Sequence, residues 1–533
     1  MNQQISLPGF DMPATQDARA AHPQVAASDT AKTAAPHTDG PESMNGRQSP
    51  EAASQQDGVA DSATEMEAPG QSDNTSNTWP PISEMLQSLF VFEPTTATLA
   101  PITVMGMDCA SPHHMNALHE DARERIRHAD IICAGDSLLK EIVAQPLPHA
   151  QVAAKEDGEP LAAELLPLHA PLAPLLTRLS HLRAAGKRVL VLADGDPLLF
   201  GIGATLVRQL GAEAVRILPA VSSLQQACAR LALPWHRVIC ISLHGRDDLH
   251  PLHTACSKNV PLCILTDERM TPDVLARHLL DRGVDWFAAH IFERMGAPDE
   301  DARHMSLTDA AGCTFGPACT MVLLPTEPVR RPYLGLEADQ LAVEGGCMTK
   351  KPVRAAALAM LRIAPQHIVW DIGAGSGAMA LEASVLAHEG RVIAVERSAG
   401  RAIGIQENRR RFGAASVDVR LGQAPDCLPG LPDPDRVFIG GGLSGGDGAD
   451  ILGYVCHRLP VGGRVVASCV LLDSLHLCRR FFEKAGWPHD IMQMSAAEGR
   501  ELGDDIHLAA TNPVFLVAAQ KPAAVPTPGR MRT

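Results

Sequence analysis

Aromatic residues make up 4% of this 533-residue chain, too few for a surface that holds nucleic acid by stacking its bases. Basic residues are outnumbered as well: 46 lysines and arginines face 61 acids, for a net charge of −15. Strand or duplex binding needs a cationic face, so no nucleic-acid partner is expected. A small anionic substrate remains allowed, because a local basic pocket is enough to hold one. No apolar run approaches the roughly 20 residues of a membrane span, and no basic-then-apolar leader opens the chain. No membrane partner and a cytoplasmic location are therefore expected. The 13 cysteines show neither a C-x-x-C nor a paired metal spacing, which points to free, mostly buried thiols in a reducing compartment. There are 22 histidines but no H-E-x-x-H. The adjacent pair His113-His114 is read as surface loop, and no metal is expected.

What is present is enough apolar residue, 45%, for sizeable cores. Met1 to about Asn77 is rich in Ala, Gln, Ser, Asp, Pro and Gly and poor in aliphatics. It cannot bury enough surface to offset the entropy of ordering. Residues 1–95 are read as a disordered low-complexity tail, in which Trp79 to Phe92 is either a short docking helix or a sticky linker. Over residues 100–326 the pattern predicts strands at Ile102–Met105 (leading into a glycine turn), Ile131–Ala134, Arg188–Ala193, Val215–Leu218, Val238–Leu243, Leu262–Thr266, Phe287–Phe292 and Met321–Leu324. Helical stretches such as Met115–His128 and Ile202–Leu210 fall between them, as in an α/β domain. A linker with two prolines and two arginines, Thr326 to Pro332, follows. Residues 335–521 then alternate again. A helix at Ala355–Leu361 precedes strands at Ile368–Ile372, Val392–Val395, Val417–Leu421, Val437–Ile439, Val465–Ala467 and Val514–Ala518. That order predicts a Rossmann-like, doubly wound parallel sheet. No internal repeat relates the two halves.

Asp371-Ile-Gly-Ala-Gly-Ser-Gly377 follows a strand and opens a helix. Glycines there let backbone approach a ligand, and a helix N-terminus favours a negative group. Taken alone, the spacing suits a dinucleotide equally well, or a plain strand-to-helix turn. Asp371 shifts the balance, since it would repel a pyrophosphate but welcome the amino-acid end of a sulfonium donor. Glu396 ends the next strand, where an acid can accept both ribose hydroxyls. Gly422-Gln-Ala424 ends the one after, where small residues leave room for adenine. The combination points to S-adenosylmethionine (AdoMet).

Three segments make the likeness specific: Cys347-Met-Thr-Lys-Lys-Pro-Val-Arg354, Val369-Trp-Asp-Ile-Gly-Ala-Gly-Ser-Gly377, and Asp435-Arg-Val-Phe-Ile-Gly-Gly441. Together with Thr511-Asn-Pro-Val-Phe515 they resemble the decarboxylating precorrin methyltransferases of cobalamin biosynthesis, over about Gly335 to Lys521. The resemblance implies a class I AdoMet methyltransferase domain. Thr349 would lie beside AdoMet, and Gly373, Ala374, Gly375, Ser376, Gly377, Glu396 and Ala424, with Asp371, would hold it. Without that likeness, Thr349 reads equally well as a helix N-cap.

Ahead of it, Ala193-Asp-Gly-Asp-Pro-Leu-Leu-Phe-Gly-Ile-Gly203 is by itself ordinary turn punctuation. With Leu218-Pro-Ala-Val-Ser-Ser223 and Ile241-Ser-Leu-His-Gly-Arg246 it resembles the two-lobed tetrapyrrole methylases, over about Pro101 to Pro325. That family binds AdoMet between two α/β lobes, which would place Gly106, Gly195, Asp196, Leu199, Ser222 and Ser223 near it. His244 and Arg246 would face the substrate, an arginine fork being suited to macrocycle carboxylates. Their bland readings are a core histidine and a solvated loop cation. One departure stands out: the first loop, Val104-Met-Gly-Met-Asp-Cys109, keeps Gly106 alone of the family's several glycines.

The tandem order is that of the fused enzyme that methylates precorrin-6B, or its cobalt form, at carbon-5 and carbon-15 and removes carbon dioxide from the ring C acetate, giving precorrin-8X. The resemblance assigns carbon-15 and decarboxylation to the C-terminal domain and carbon-5 to the N-terminal one. Meso carbons of such a macrocycle are already nucleophilic, so methyl transfer needs in-line approach more than a strong base. Thr349, Lys350 and His244 are the catalytic candidates, with Glu344 as a further proton carrier. Family members often assemble, which makes a homo-oligomer an expectation. Two other readings stay open: a methyltransferase on another substrate such as RNA, which the acidic balance and the missing Asn-Pro-Pro-Tyr oppose, and an N-terminal domain reduced to a precorrin-binding scaffold.

Overall fold

The computed structural model describes residues 99–108, 119–144, 163–317, 319–346 and 348–523. The predicted tail, the Trp79–Phe92 segment, the His113-His114 pair, Cys109 and the first residues of the Met115–His128 helix lie outside the described residues.

The first lobe is a five-stranded, fully parallel sheet in the order β3-β2-β4-β1-β5. Its strands are β1 (Ile102–Met107), β2 (Ile131–Ala134), β3 (Glu164–Pro167), β4 (Val189–Asp194) and β5 (Val215–Leu218). Around it lie α1 (Glu120–His128), α2 (Asp136–Ala144), α3 (Leu172–Ala184), α4 (Ile202–Leu210) and α5 (Ser223–Arg230). The expected glycine turn after Met105 is absent. β1 runs on through Gly106, which pairs with Ala193. A Cβ there would stand 2.6 Å from Gly195 O and 2.7 Å from Ala220 Cβ, so close packing of three segments requires the glycine.

The second lobe is a mixed sheet in the order β6-β7-β10-β8-β9. Its strands are β6 (Ile239–Ser242), β7 (Leu262–Leu265), β8 (Phe287–Glu293), β9 (Asp301–Ser306) and β10 (Cys319–Pro325), with α6 (His250–Cys256), α7 (Pro272–Asp281) and α8 (Leu307–Ala311). β10 is antiparallel to both β7 and β8.

The C-terminal half is a seven-stranded sheet in the order β13-β12-β11-β14-β15-β19-β16. α9 (Lys351–Leu361) leads into β11 (Ile368–Ile372), α10 (Ala378–Leu386), β12 (Arg391–Glu396), α11 (Ala399–Arg411), β13 (Val417–Leu421), β14 (Arg436–Ile439), α12 (Gly448–Arg458), β15 (Arg464–Cys469) and α13 (Leu472–Ala485). β16 (His489–Met494), β17 (Ala497–Leu502), β18 (Asp505–Ala510) and β19 (Val514–Gln520) close it. Five strands are parallel, as predicted, but β19 runs antiparallel to β15 and β16. Both faces are covered: α9, α10 and α11 pack on one core, α12 and α13 on another. Such double burial is why the central strands read as continuous apolar runs. β17 and β18 pair only with each other and leave Leu502, Ile506 and Leu508 exposed.

The second lobe meets the C-terminal half in a polar contact. Arg282 and Arg391 both pair with Asp418. Arg282 Nε also donates to Ala415 O at 2.7 Å, Arg409 donates to Arg282 O at 2.6 Å, and Arg410 pairs with Asp285. His250 Nε2 donates to Gly390 O at 2.6 Å, and Ser416 N donates to Ser257 Oγ at 2.9 Å. Ala415 sits in the second lobe's own core. Among the described residues no helix is long and apolar enough to cross a membrane, and no group of three or more His, Cys, Asp or Glu is placed to hold a metal ion.

Candidate active site

A cavity of 690 Å³ opens at the carboxyl ends of β11, β12 and β13. Its wall includes Met348, Thr349, Lys350, Gly373, Ala374, Gly375, Glu396, Arg401, Gln423 and Ala424, with Gly440 to Gly442, Ser468 and Val470 across from them. Ligands of open α/β sheets bind at this end, where strands give way to helices.

The floor is two glycine loops in contact. Gly373 has φ +75°, and a Cβ on it would stand 2.8 Å from Gly441 N. Only glycine fits both demands, and the chain beyond β14 can therefore pass directly over the first loop. Glu396 closes one side. Its Oε2 accepts from Gly375 N at 2.9 Å, while Oε1 accepts from Ser398 N at 2.9 Å and from Arg401 at 2.7 Å. Burial works to raise its pKa, but these bonds prevail and hold the carboxyl below its usual range. A carboxylate has about four acceptor directions, so Oε2 keeps room for a ligand hydroxyl.

Asp371, Ser376 and Gly377 are not on the cavity wall. Asp371 is 1% exposed. Burial pushes its carboxyl up to about 7; the Ala380 backbone N–H opposes this and nearby Glu396 adds to it. Gly377 packs against Ile405, and Ser376 O accepts from the buried Asn408 at 2.9 Å. These residues set the loop's shape from behind.

Thr349 is half-buried and Lys350 exposed, both on the wall. Thr349 is not the N-cap of α9; Lys350 takes that position and makes no side-chain cap bond. The segment is held by Arg354, whose side chain is fully buried. It donates to Thr349 O at 2.6 Å, to Glu382 at 2.8 Å and to Leu336 O. Leu336 N donates to the same Glu382 oxygen at 2.9 Å. Glu344 lies outside the cavity, against Gly400.

Sequence reasoning missed Arg354, Arg401, Asn408 and the span across the cavity from Gln423 Nε2 to Asp447 Oδ2 at 2.7 Å. The run Gly440-Gly-Gly-Leu-Ser-Gly-Gly-Asp447 was the available signal. The others are single polar residues whose partners lie far along the chain.

In the N-terminal half, Gly195 N donates to Met107 O at 2.8 Å, and Asp196 accepts from Leu198 N at 2.8 Å in a local turn. Leu199 packs on the cluster formed by Leu224, Phe292 and Val322. Ser222 caps α5 reciprocally with Gln225 and is buried, with Ser223 as the first helical residue. Gly106, Gly195 and Pro197 thus meet at one point, with Ser222 3.5 Å from the place of a Gly195 Cβ. His244 and Arg246 are exposed, on the loop after β6. His244 is therefore not a core residue. Gly245 N fixes that loop by donating to Asp267 at 2.9 Å.

Comparison with known proteins places these features. Residues 341–521 match the precorrin methyltransferase domain family, and residues 111–311 match the tetrapyrrole (corrin/porphyrin) methylases. A precorrin-6Y C(5,15)-methyltransferase [decarboxylating] of Mycobacterium tuberculosis is 34% identical over 306 residues, 56% of this chain and 75% of that protein. A probable cobalt-precorrin-6B C(15)-methyltransferase (decarboxylating) of Pyrobaculum aerophilum is 34% identical over 34% of this chain and 93% of its own length. The crystal structure of a precorrin-6Y C5,15-methyltransferase from Geobacter metallireducens GS-15 is 36% identical, with a TM-score of 0.34, over 37% of this chain and 100% of that one. With both domains matched in tandem and three quarters of a curated relative covered, the chain belongs to the decarboxylating precorrin-6Y C5,15-methyltransferase family.

Proposed function

We propose that this protein uses AdoMet to methylate precorrin-6B, or its cobalt form, at carbon-5 and carbon-15 and to decarboxylate the ring C acetate, yielding precorrin-8X. The observation that carries the reading is the cavity over the glycine loop, in a chain whose two halves match two methylase families in the order of the bifunctional relatives. In this reading the C-terminal cavity performs carbon-15 methylation and decarboxylation, and the N-terminal lobes perform carbon-5 methylation. The protein need not ligate cobalt, so both macrocycles are admitted.

The lining suits AdoMet chemically. Glu396 offers an acceptor for ribose hydroxyls, Gly373 to Gly375 allow close approach of the amino-acid end, and Ala424 beside Gln423 leaves space for a flat base. When bound, AdoMet supplies an electrophilic methyl group. The protein's own part is alignment and exclusion of water. Arg354 holds the Thr349 carbonyl and so fixes the wall segment over the site. Lys350 and Arg397 stand at the cavity with the charge to pair with macrocycle carboxylates.

Purified full-length protein incubated with precorrin-6B and AdoMet tests this by mass spectrometry. The expected product carries two added methyls and has lost carbon dioxide. An authentic substrate left unchanged in mass would sink the assignment.

A second reading is favoured by one observation, the space around Gly106 filled by Gly195, Ala220 and Pro197, in a first loop that keeps one of the several glycines the resemblance implies. There the N-terminal lobes only bind macrocycle. Calorimetry with AdoMet on the full chain separates the two: two sites support the bifunctional enzyme, one site the scaffold.

A further inference from the structure

We infer that Gln423 is a specificity-determining residue for the base of AdoMet, reading its 6-amino group through Oε1, and that Asp447 is the positioning residue that decides which end of the Gln423 carboxamide faces the base. The inference deepens the AdoMet reading of the C-terminal cavity and rests on it.

Gln423 follows β13, and Asp447 precedes α12, the helix after β14. In the sheet order β13-β12-β11-β14 those two strands stand three spacings apart, roughly 14 Å. The 2.7 Å bond from Gln423 Nε2 to Asp447 Oδ2 therefore joins loops that lean toward each other over the carboxyl ends of β12 and β11, where Glu396 and the glycine loop lie. Both side chains line the cavity and both are exposed. They stand at its mouth, where a bound ligand would cover them.

Each end of this bridge is firmly seated. Gly422 N donates to Glu396 O at 2.9 Å, and Cys427 N donates to Gln423 O at 3.0 Å. A Cβ on Gly422 would stand 2.5 Å from Cys427 Cβ. The slot for a flat base beside Ala424 is thus tied to Glu396, the residue that offers an acceptor for the ribose. At the other end, a Cβ on Gly448 would stand 2.6 Å from Leu443 O, and Gly448 N donates to Gly445 O at 3.2 Å. The loop folds back on itself where Asp447 sits. Asp447 is the N-cap of α12, a position where an aspartate ordinarily accepts from the helix's own first N–H groups. It makes no such bond. Its carboxylate forgoes that local stabilisation and turns across the cavity to Gln423.

A carboxylate accepts, so Gln423 must turn its NH2 group toward Asp447 and keep its carbonyl for something else. Among the described residues no donor reaches that Oε1. An acceptor fixed beside a base slot selects a base with a donor on that edge. The 6-amino group of adenine is such a donor. The 6-oxo group of hypoxanthine is an acceptor and would be opposed there.

The test is calorimetry on the full chain with two probes, S-adenosylhomocysteine and S-inosylhomocysteine, which carry an amino and an oxo group at position 6 of the base. Binding that Gly373→Ala weakens belongs to the C-terminal cavity. There the wild type is expected to prefer the adenine probe by at least about tenfold. Gln423→Ala is expected to remove most of that preference. Asp447→Asn can still accept and keeps it. Asp447→Lys donates where Asp447 accepts, turns the carboxamide round and reverses the preference toward the inosine probe. A pair that only stiffened the loop would weaken both probes alike in every variant. Both side chains are exposed, so none of these changes opens a hole in the core. Equal affinities in the wild type, or a preference that survives in Gln423→Ala or Asp447→Lys, overturn the inference and leave the AdoMet reading intact. Binding of the adenine probe that Gly373→Ala does not weaken overturns the AdoMet reading of this cavity, and the inference with it.

Discussion

Two acids at the ends of neighbouring strands occupy opposite states, and each state has a cause in its surroundings. Glu396 is charged because Gly375, Ser398 and Arg401 donate to it. Asp371 is enclosed, and burial carries it from an ordinary 3.8 up to about 7. Between those two values the native protein keeps a proton that the unfolded chain has released, so stability falls as pH rises through the window. Asp371→Asn removes that slope, worth at most about 4 kcal/mol. Melting temperatures of the two proteins, measured across the window, are expected to diverge on acidification, with the wild type gaining; parallel curves would contradict the burial argument. Gly373→Ala tests the cavity floor. Its methyl would meet Gly441 N at 2.8 Å in a left-handed backbone, a strain of about 1–3 kcal/mol. The expected result is at least about a tenfold loss of kcat/KM for methyl transfer.

Among the secondary-structure elements, the junction of α9 with α10 carries the wall segment. Arg354→Leu leaves Glu382 buried and unpaired, and is expected to destabilise by about 3–5 kcal/mol in thermal unfolding. Arg354→Leu with Glu382→Leu removes both charges and recovers most of that stability. Activity is not expected to return, because the Thr349 carbonyl has lost its donor. Recovery of both together would make Arg354 a stability residue and nothing more. The sequence made β11, β12, β14 and β15 visible because strands buried on both faces are unbroken apolar runs. β9, with Asp301-Ala-Arg-His-Met-Ser306, and the β16 to β18 strands bury little, so they carry no periodic signal and were not predicted. Strand direction was equally hidden: the Val514–Ala518 strand was predicted, but its apolar run is the same whichever way it lies. In the site, the glycine loop was legible as a local pattern. The Gln423–Asp447 bond and the Asn408 bonds to Ser376 and Ala342 join residues 24, 32 and 66 positions apart, which no single-window reading connects.

For the whole molecule, the contact between the second lobe and the C-terminal half contains three histidines that fold neutral. His253 is driven down to about 2, first by burial and then by Arg282, with Asp418 opposing and His278 and His250 adding to the drop. Burial also lowers His250, where Gly390 and Asp418 oppose it, and His278, beside Arg282, Asp281 and Arg409. Their folded values lie below the ordinary 6.5, so the stability they contribute is present above 6.5 and is lost as pH falls below it. Limited proteolysis of the Thr326–Pro332 linker is expected to accelerate on mild acidification while the glycine-loop core stays protected. Cleavage at a rate independent of pH would argue against these histidines as the weak point. The charge-paired joining of the two halves has one more consequence. A single polypeptide fixes dosage, each translated copy delivering one of each half, so that neither methylation can outrun the other through uneven supply.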